Sequence, residues 1–384
     1  MTDRERAMAV LKYQPYDRLP IVHFGFWKET LAKWAEEGYL TKEESEEWAD
    51  GNTMDAVVSQ KLGFDFNWYS TVQPATHLSP PFEKEVIEEM PDGSKKVLNE
   101  EGVIVLEKPG AISIPAEIEH KLKTHQDWEE HYLPRMQFNQ DRIDKAMVRA
   151  NDKMIRFDEG GKEFLQNGER DYAMGLHCGS LFGTARNVLG VVGASYLFAD
   201  DPDLFDEIIN TYGNLCYQCT KAMLETGAKF DFAHFWEDIC FKNGPLIIPS
   251  VFDEKVGPHY KRITDLCQSY GITICSLDCD GCIDALIPTW FNNGVNTMFP
   301  IEVGTWNASI APWREKYGKE LRGVGGMNKV VFMRDRAAID AEIERLKPLV
   351  DLGGFIPCPD HRIAPDGLWD NVCYYTERMR ETFG

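Results

Sequence analysis

The sequence predicts an α/β protein built as a (β/α)8 TIM barrel, with N-terminal helical segments and a β-hairpin insertion. Three observations carry that expectation. Four short apolar runs each end on polar, chemically useful residues: 272–281 closes on Asp278-Cys279-Asp280-Gly281, 298–302 on Glu302, 323–329 on Asn328-Lys329, and 355–361 on Asp360-His361. A helical pattern follows each run. The strand ends from residue 237 onward recur at roughly 20 to 45 residues, which suits βα units averaging about 30 residues. In such a barrel the side chains at the C-terminal strand ends converge on one pocket. A doubly wound sheet is the competing architecture, but no Gly-x-Gly-x-x-Gly turn follows the first strand.

Taken in order, Thr2 or Asp3 caps a first helix reaching about Lys12, and the turn Asp17-Arg18-Leu19-Pro20 leads into a strand at 21–26. Residues 28–60 hold two amphipathic helical patterns, and 64–68 reads as a second strand. Strands at 86–90 and 102–106 flank Pro91-Asp92-Gly93, a turn signal, so 84–108 is expected to be a hairpin insertion placed where it can cover the barrel mouth. Residues 116–150 read as mostly helical, and 172–177 as a strand. A long helix spans 202–226, started by Asp200-Asp201-Pro202, with proline suited to the first turn. Then strands at 230–236, 272–281 and 295–302 alternate with helices at 252–270 and 283–293. Helices near 308–318, 335–350 and 368–382 alternate with the last two strands. The chain, 1–384, is expected to form a single barrel domain.

Composition narrows the class. The 384 residues are 43% hydrophobic and 12% aromatic, enough for a sizeable core. A formal charge of −21 opposes nucleic acid or an anionic membrane as partner, since phosphate binding needs a basic surface. No run reaches the ~18 apolar residues of a membrane span, and the charged start Met1–Arg6 lacks a signal-peptide core. Ten scattered cysteines fit reduced thiols in a cytoplasmic enzyme.

The chemistry concentrates at the strand ends. Glu237, Asp278, Asp280 and His361 would share one ring of the barrel, with Asp238 and Glu302 behind them. Mixed carboxylate and imidazole ligands suit a divalent cation such as zinc. The same groups can act as general acid and base without a metal, or cap the helix after each strand. Trp27 and Trp236, at strand ends, are candidates for the wall of a pocket, because ring faces bind apolar and cationic groups. His177 and Asn328 join them as candidates for substrate binding. The glycines of 323–326 precede no Lys-Ser/Thr, so they form no P-loop.

Several of these segments together resemble the uroporphyrinogen decarboxylase-like superfamily: Trp236-Glu237-Asp238, Asn243-Gly244-Pro245, Asp278-Cys279-Asp280-Gly281, Phe299-Pro300-Ile301-Glu302, Gly353-Gly354-Phe355 and Pro359-Asp360-His361-Arg362. The resemblance covers nearly the whole chain and implies a (β/α)8 barrel. It departs from the true decarboxylases after the first strand, where His23-Phe24-Gly25-Phe26-Trp27-Lys28 replaces an arginine-rich carboxylate grip. It departs equally from thiol-methylating members, whose zinc ligands are His-x-Cys and a later Cys; the matching positions here look like Asp278-x-Asp280 and His361. What the resemblance implies is a substrate-side, corrinoid-dependent methyltransferase of the O-demethylase type. Such an enzyme takes a methyl group from a small methoxylated aromatic and delivers it to the cobalt(I) of a separate corrinoid (cobalamin) protein, its partner. A methylated amine as donor, a decarboxylase-like lyase and a non-catalytic corrinoid- or metabolite-binding barrel are the alternatives. Assembly stays open between monomer and homodimer.

Overall fold

A computed structural model gives the structure of the protein and describes residues 1–109 and 115–384. The N-terminal helix, Asp3–Leu11, starts where expected. Thr2 accepts from the Glu5 amide while the Glu5 carboxylate takes the Thr2 amide, a reciprocal capping box. Arg322 donates through Nε to the Leu11 carbonyl at 2.6 Å.

Strands β1 (Val22–His23) and β2 (Phe66–Asn67) pair in parallel, and β3 (Thr71–Val72) follows after a short bend. An antiparallel sheet comes next, formed by β4 (Glu85–Glu89), β5 (Lys95–Leu98), β6 (Val103–Glu107) and β7 (Ala116–His120). A hairpin of β8 (Met147–Ala150) and β9 (Lys153–Arg156) precedes β10 (Gly175–His177) and β11 (Phe232–Trp236). After a small hairpin of β12 (Cys240–Phe241) and β13 (Gly244–Pro245) come β14 (Cys275–Asp278), β15 (Thr297–Phe299), β16 (Arg322–Met327) and β17 (Phe355–Pro359).

Seven strands form one parallel sheet in the order β17-β16-β15-β14-β11-β10-β3. Its central strands are buried almost throughout, as in parallel sheets that helices cover on the outside. The largest of those helices, Pro202–Glu225, turns Leu204, Phe205, Ile208, Ile209 and Tyr212 inward, with Asp201 capping it and proline in its first turn. The pair β1–β2 stands beside the far edge. Phe26 bridges Ile363 just past β17, and the Trp27 amide donates to the Ile363 carbonyl at 3.2 Å.

The fold is therefore mixed α/β with a large parallel sheet, and among the described residues the strands do not close into a continuous barrel ladder. Two features interrupt it. Gly25, at φ 88°, turns the chain away after β1, and the chain bends between β2 and β3, where Thr71 donates to the nearby Tyr69 carbonyl.

Three local expectations are corrected. The insertion is a four-stranded sheet rather than a hairpin: β5 lies between 85–89 and 103–107, which were expected to pair directly. Its Val97, Val103 and Val105 form a small core of their own, apart from the main one. Residues 116–150 are helical only in short pieces and carry β7 and β8 instead, because the alternating Ala-Glu-Ile-Glu-His suits an edge strand on β6. The helix Gly183–Asp200 was not foreseen. Its glycines lower helix propensity, and Gly190 at φ 71° kinks it against the His120 ring. No helix of the described residues is long and apolar enough to cross a membrane.

Candidate functional site

The register of the parallel strands sets the site. Trp236, Asp278 and Phe299 are successive partners on β11, β14 and β15, so three chemically different side chains stand at one level. Asp278 is 4% exposed and accepts a hydrogen bond from the Tyr69 hydroxyl at 2.5 Å. Tyr69 reaches it because the bend after β2 is pinned: the Tyr69 amide donates to the Asn67 side chain, and the neighbouring Trp68 indole donates to Ser276 on β14. Burial first, and the nearby Asp280 charge second, raise the Asp278 carboxyl well above the usual carboxylate range. Burial and then Asp278 push the Tyr69 phenol up as well.

A second pair lies nearer solvent. His361 Nε2 is 3.2 Å from Asp280 Oδ2, with side chains 19% and 32% exposed. The imidazole stacks on Trp27 at 5.5 Å and meets the edge of Phe24 at 5.6 Å. One polar atom of each partner, Asp280 Oδ1 and His361 Nδ1, is buried without a hydrogen bond among the described residues. Two cations flank the pair. Arg362 holds Asp50 at 2.6 Å while lying over the Phe24 and Tyr69 rings. Lys329 donates to the Arg362 carbonyl at 3.2 Å, and burial lowers its ammonium against the pull of Asp360, Asp280 and Glu302.

Of the residues expected from sequence, the structure brings together Asp278, Asp280, His361, Trp27 and, by register, Trp236. Glu237 is not one of this group. Its carboxylate is fully buried and committed: Oε1 accepts from the Leu181 amide and the Tyr260 hydroxyl, and Oε2 from the Phe182 and Gly183 amides and from Ser180. It anchors the N-terminus of the helix Gly183–Asp200, where a carboxylate is favoured by the free amides and the helix dipole. Asn328 likewise serves the backbone, its side chain accepting from the Val330 amide at 3.1 Å to cap a short helix. Asp238 pairs with Arg186, and Glu302 accepts from the Gly281 amide and Thr305. His177 stands level with His234 on the next strand, ring centres 6.1 Å apart. Burial drives the His177 imidazole down to about 4 and lowers that of His234 well below its ordinary value.

The zinc expectation does not fit this arrangement. With Glu237 spent on five donors, no three His, Cys, Asp or Glu side chains among the described residues are placed to hold a metal ion. Sequence reasoning missed Tyr69, Arg362 and Lys329 as parts of the site. Their signal was positional: Tyr69 directly follows the second expected strand, Arg362 follows His361, and Lys329 ends the 323–329 run.

No protein-family profile matches this chain, and no curated protein matches it by sequence. Among solved structures, a methyltransferase from Methanosarcina mazei aligns over 100% of this chain and 99% of its own, with a TM-score of 0.61 at 15% identity. That likeness shows the fold. A protein described as a vitamin-B12-independent methionine synthase from Listeria monocytogenes covers 58% of this chain and 68% of its own, with a TM-score of 0.35 at 15% identity, too low to carry an argument.

Proposed function

We propose that the protein is a methyltransferase that demethylates a small methoxylated aromatic compound and passes the methyl group to the cobalt(I) of a partner corrinoid protein. The observation that carries the reading is the buried Tyr69–Asp278 hydrogen bond beside an aromatic wall of Phe24 and Trp27. The fold shared with a protein named a methyltransferase supports it. So does the resemblance of the strand-end segments to the uroporphyrinogen decarboxylase-like superfamily. In this reading β2 and β3 are one bent strand, and the parallel strands form an eight-membered barrel ring completed at the Phe26–Ile363 bridge.

The chemistry divides between partner and chain. The corrinoid, when its protein is docked, supplies the nucleophile that takes the methyl group. The chain has to stabilise the oxygen left behind. As the methyl–oxygen bond breaks, its electron pair stays on the aryl oxygen, and a proton from the Tyr69–Asp278 pair turns the phenolate into a phenol. Trp27 and Phe24 hold the ring, and His361 with Asp280 orients it from the open side. The partial exposure of Asp280 and His361 leaves a face through which the partner reaches the methyl group in line.

Arg362 and Lys329 favour a second reading, a lyase acting on a carboxylic acid that these cations would hold. One experiment separates the two. Incubated with photoreduced cobalamin and a panel of methoxyphenols, the protein is expected to release the demethylated phenol. Release from no donor, with carbon dioxide evolved from a porphyrinogen, refutes methyl transfer and supports the lyase.

A further inference from the structure

A groove of about 1170 Å³ lies beside β3 and β10, outside the Asp278 cluster, and its walls include Ser70, Thr71, His77, Arg142, Arg149 and His177. Three polar groups on those walls are buried without a partner among the described residues: Ser70 Oγ, Arg149 Nε and His177 Nδ1. Ser70 is 3% exposed and Arg149 7%. The two arginines differ. Arg142 donates to four backbone carbonyls, those of Ala75, His77, Arg135 and Gln137, which leaves one of its five N–H groups free. The Arg149 guanidinium lies 3.8 Å from the Tyr172 ring centre, and its Nε is buried without a hydrogen-bond partner among the described residues. Asp55 is within electrostatic range, but its two oxygens are taken by Trp48 and Gly51.

A buried N–H without an acceptor is costly, and at Arg149 Nε a ligand in the groove would supply one. We propose that this groove binds an elongated organic oxyanion, its carboxylate or phosphate paired with Arg149 and its other polar groups hydrogen-bonded by Ser70 and His177. The three groups are strung along the chain of β10. Tyr172 carries Arg149, the Gly175 amide donates to the Ser70 carbonyl at 2.9 Å, and His177 ends the strand. A bare anion meets one of them; an extended molecule meets all three. The planar fork of arginine suits either oxyanion. The neutral imidazole of His177 can donate or accept. This site does not depend on the methyl-transfer reading.

Calorimetric titration of the full chain tests it with three probes: inorganic phosphate, 4-hydroxycinnamate as an elongated carboxylate, and 4-nitrophenyl phosphate as an elongated phosphate ester. One elongated probe is expected to bind saturably and at least about tenfold tighter than inorganic phosphate, and which one identifies the oxyanion. Arg149→Met should weaken that binding by about tenfold or more while lowering the melting temperature of the free protein only by the loss of its contact with Tyr172, because the charge it removes makes no ion pair. Ser70→Ala should weaken binding while leaving the fold intact, and it carries the test if Arg149→Met does not fold. No saturable binding of either elongated probe, equal affinity for inorganic phosphate, or unchanged binding by the variants overturns the proposal.

Discussion

Tyr69 and Asp278 make the sharpest prediction at the scale of single residues. If their shared proton is the one that leaves with the phenol, Tyr69→Phe and Asp278→Asn should each lower demethylation by about 10²- to 10⁴-fold, the usual worth of a general acid. Circular dichroism should stay near wild type, while stability falls by about 1–3 kcal/mol as a buried hydrogen bond is lost. Parent-like turnover in both variants would remove the pair from the mechanism. The sign of the pH effect follows from the raised Asp278 carboxyl. The acid form persists above the ordinary carboxylate range, and activity falls only as pH rises through the folded-state value. Asp278, Asp280 and His361 were legible in the sequence because each ends an apolar strand pattern. Tyr69 was not, because its role depends on a bend between two strands of two residues each, too short to show a period.

Glu237 belongs to the scale of elements. It reads in the sequence as one more acid after a strand, and that position is shared by catalytic acids and by acids that hold the next helix. Only its partners decide. Three backbone amides from Leu181 to Gly183, together with Ser180 and Tyr260, mark it as the anchor between β11 and the helix Gly183–Asp200. Glu237→Gln should therefore cost about 1–3 kcal/mol of stability, because one of its two acceptor sites becomes a donor facing amides. Turnover per folded molecule should hold to within about threefold, a range typical of changes away from the chemistry. A loss of turnover as large as that of Asp278→Asn, with the melting temperature unchanged, would return Glu237 to the catalytic group. The insertion shows the same limit on reading elements. Its turn at Pro91-Asp92-Gly93 was visible, but which strands pair across it depends on the short Lys95–Leu98 segment, whose two lysines hide a strand.

For the whole molecule, the alternation of strands and helices was legible from residue 230 onward, where the strands are buried and carry continuous apolar runs. It was less so in the first half, where strands are short and the antiparallel insertion interrupts the repeat. Stability as a whole should respond to acid through imidazoles that the fold keeps neutral. Burial lowers His23 from 6.5 to about 3, and its ring nitrogens meet Ser59 and the Gly25 amide. Its contribution is complete above pH 6.5 and is lost as pH falls toward 3. Urea unfolding of wild type and His23→Gln should differ by a constant amount above pH 6.5, then shift in favour of the variant by about 1.4 kcal/mol per pH unit below it. A difference that stays constant to pH 5 would show that His23 is charged in the fold. The bend between β2 and β3 has one more consequence. Because Tyr69 sits in a gap of the strand ladder, its backbone is held by local bonds to the Asn67 side chain and the Thr71 amide rather than by sheet register. The segment is thus a place where the site can drift: exchanges within 67–71 can move the Tyr69 hydroxyl against the acid on β14 while the sheet that carries the fold stays as it is.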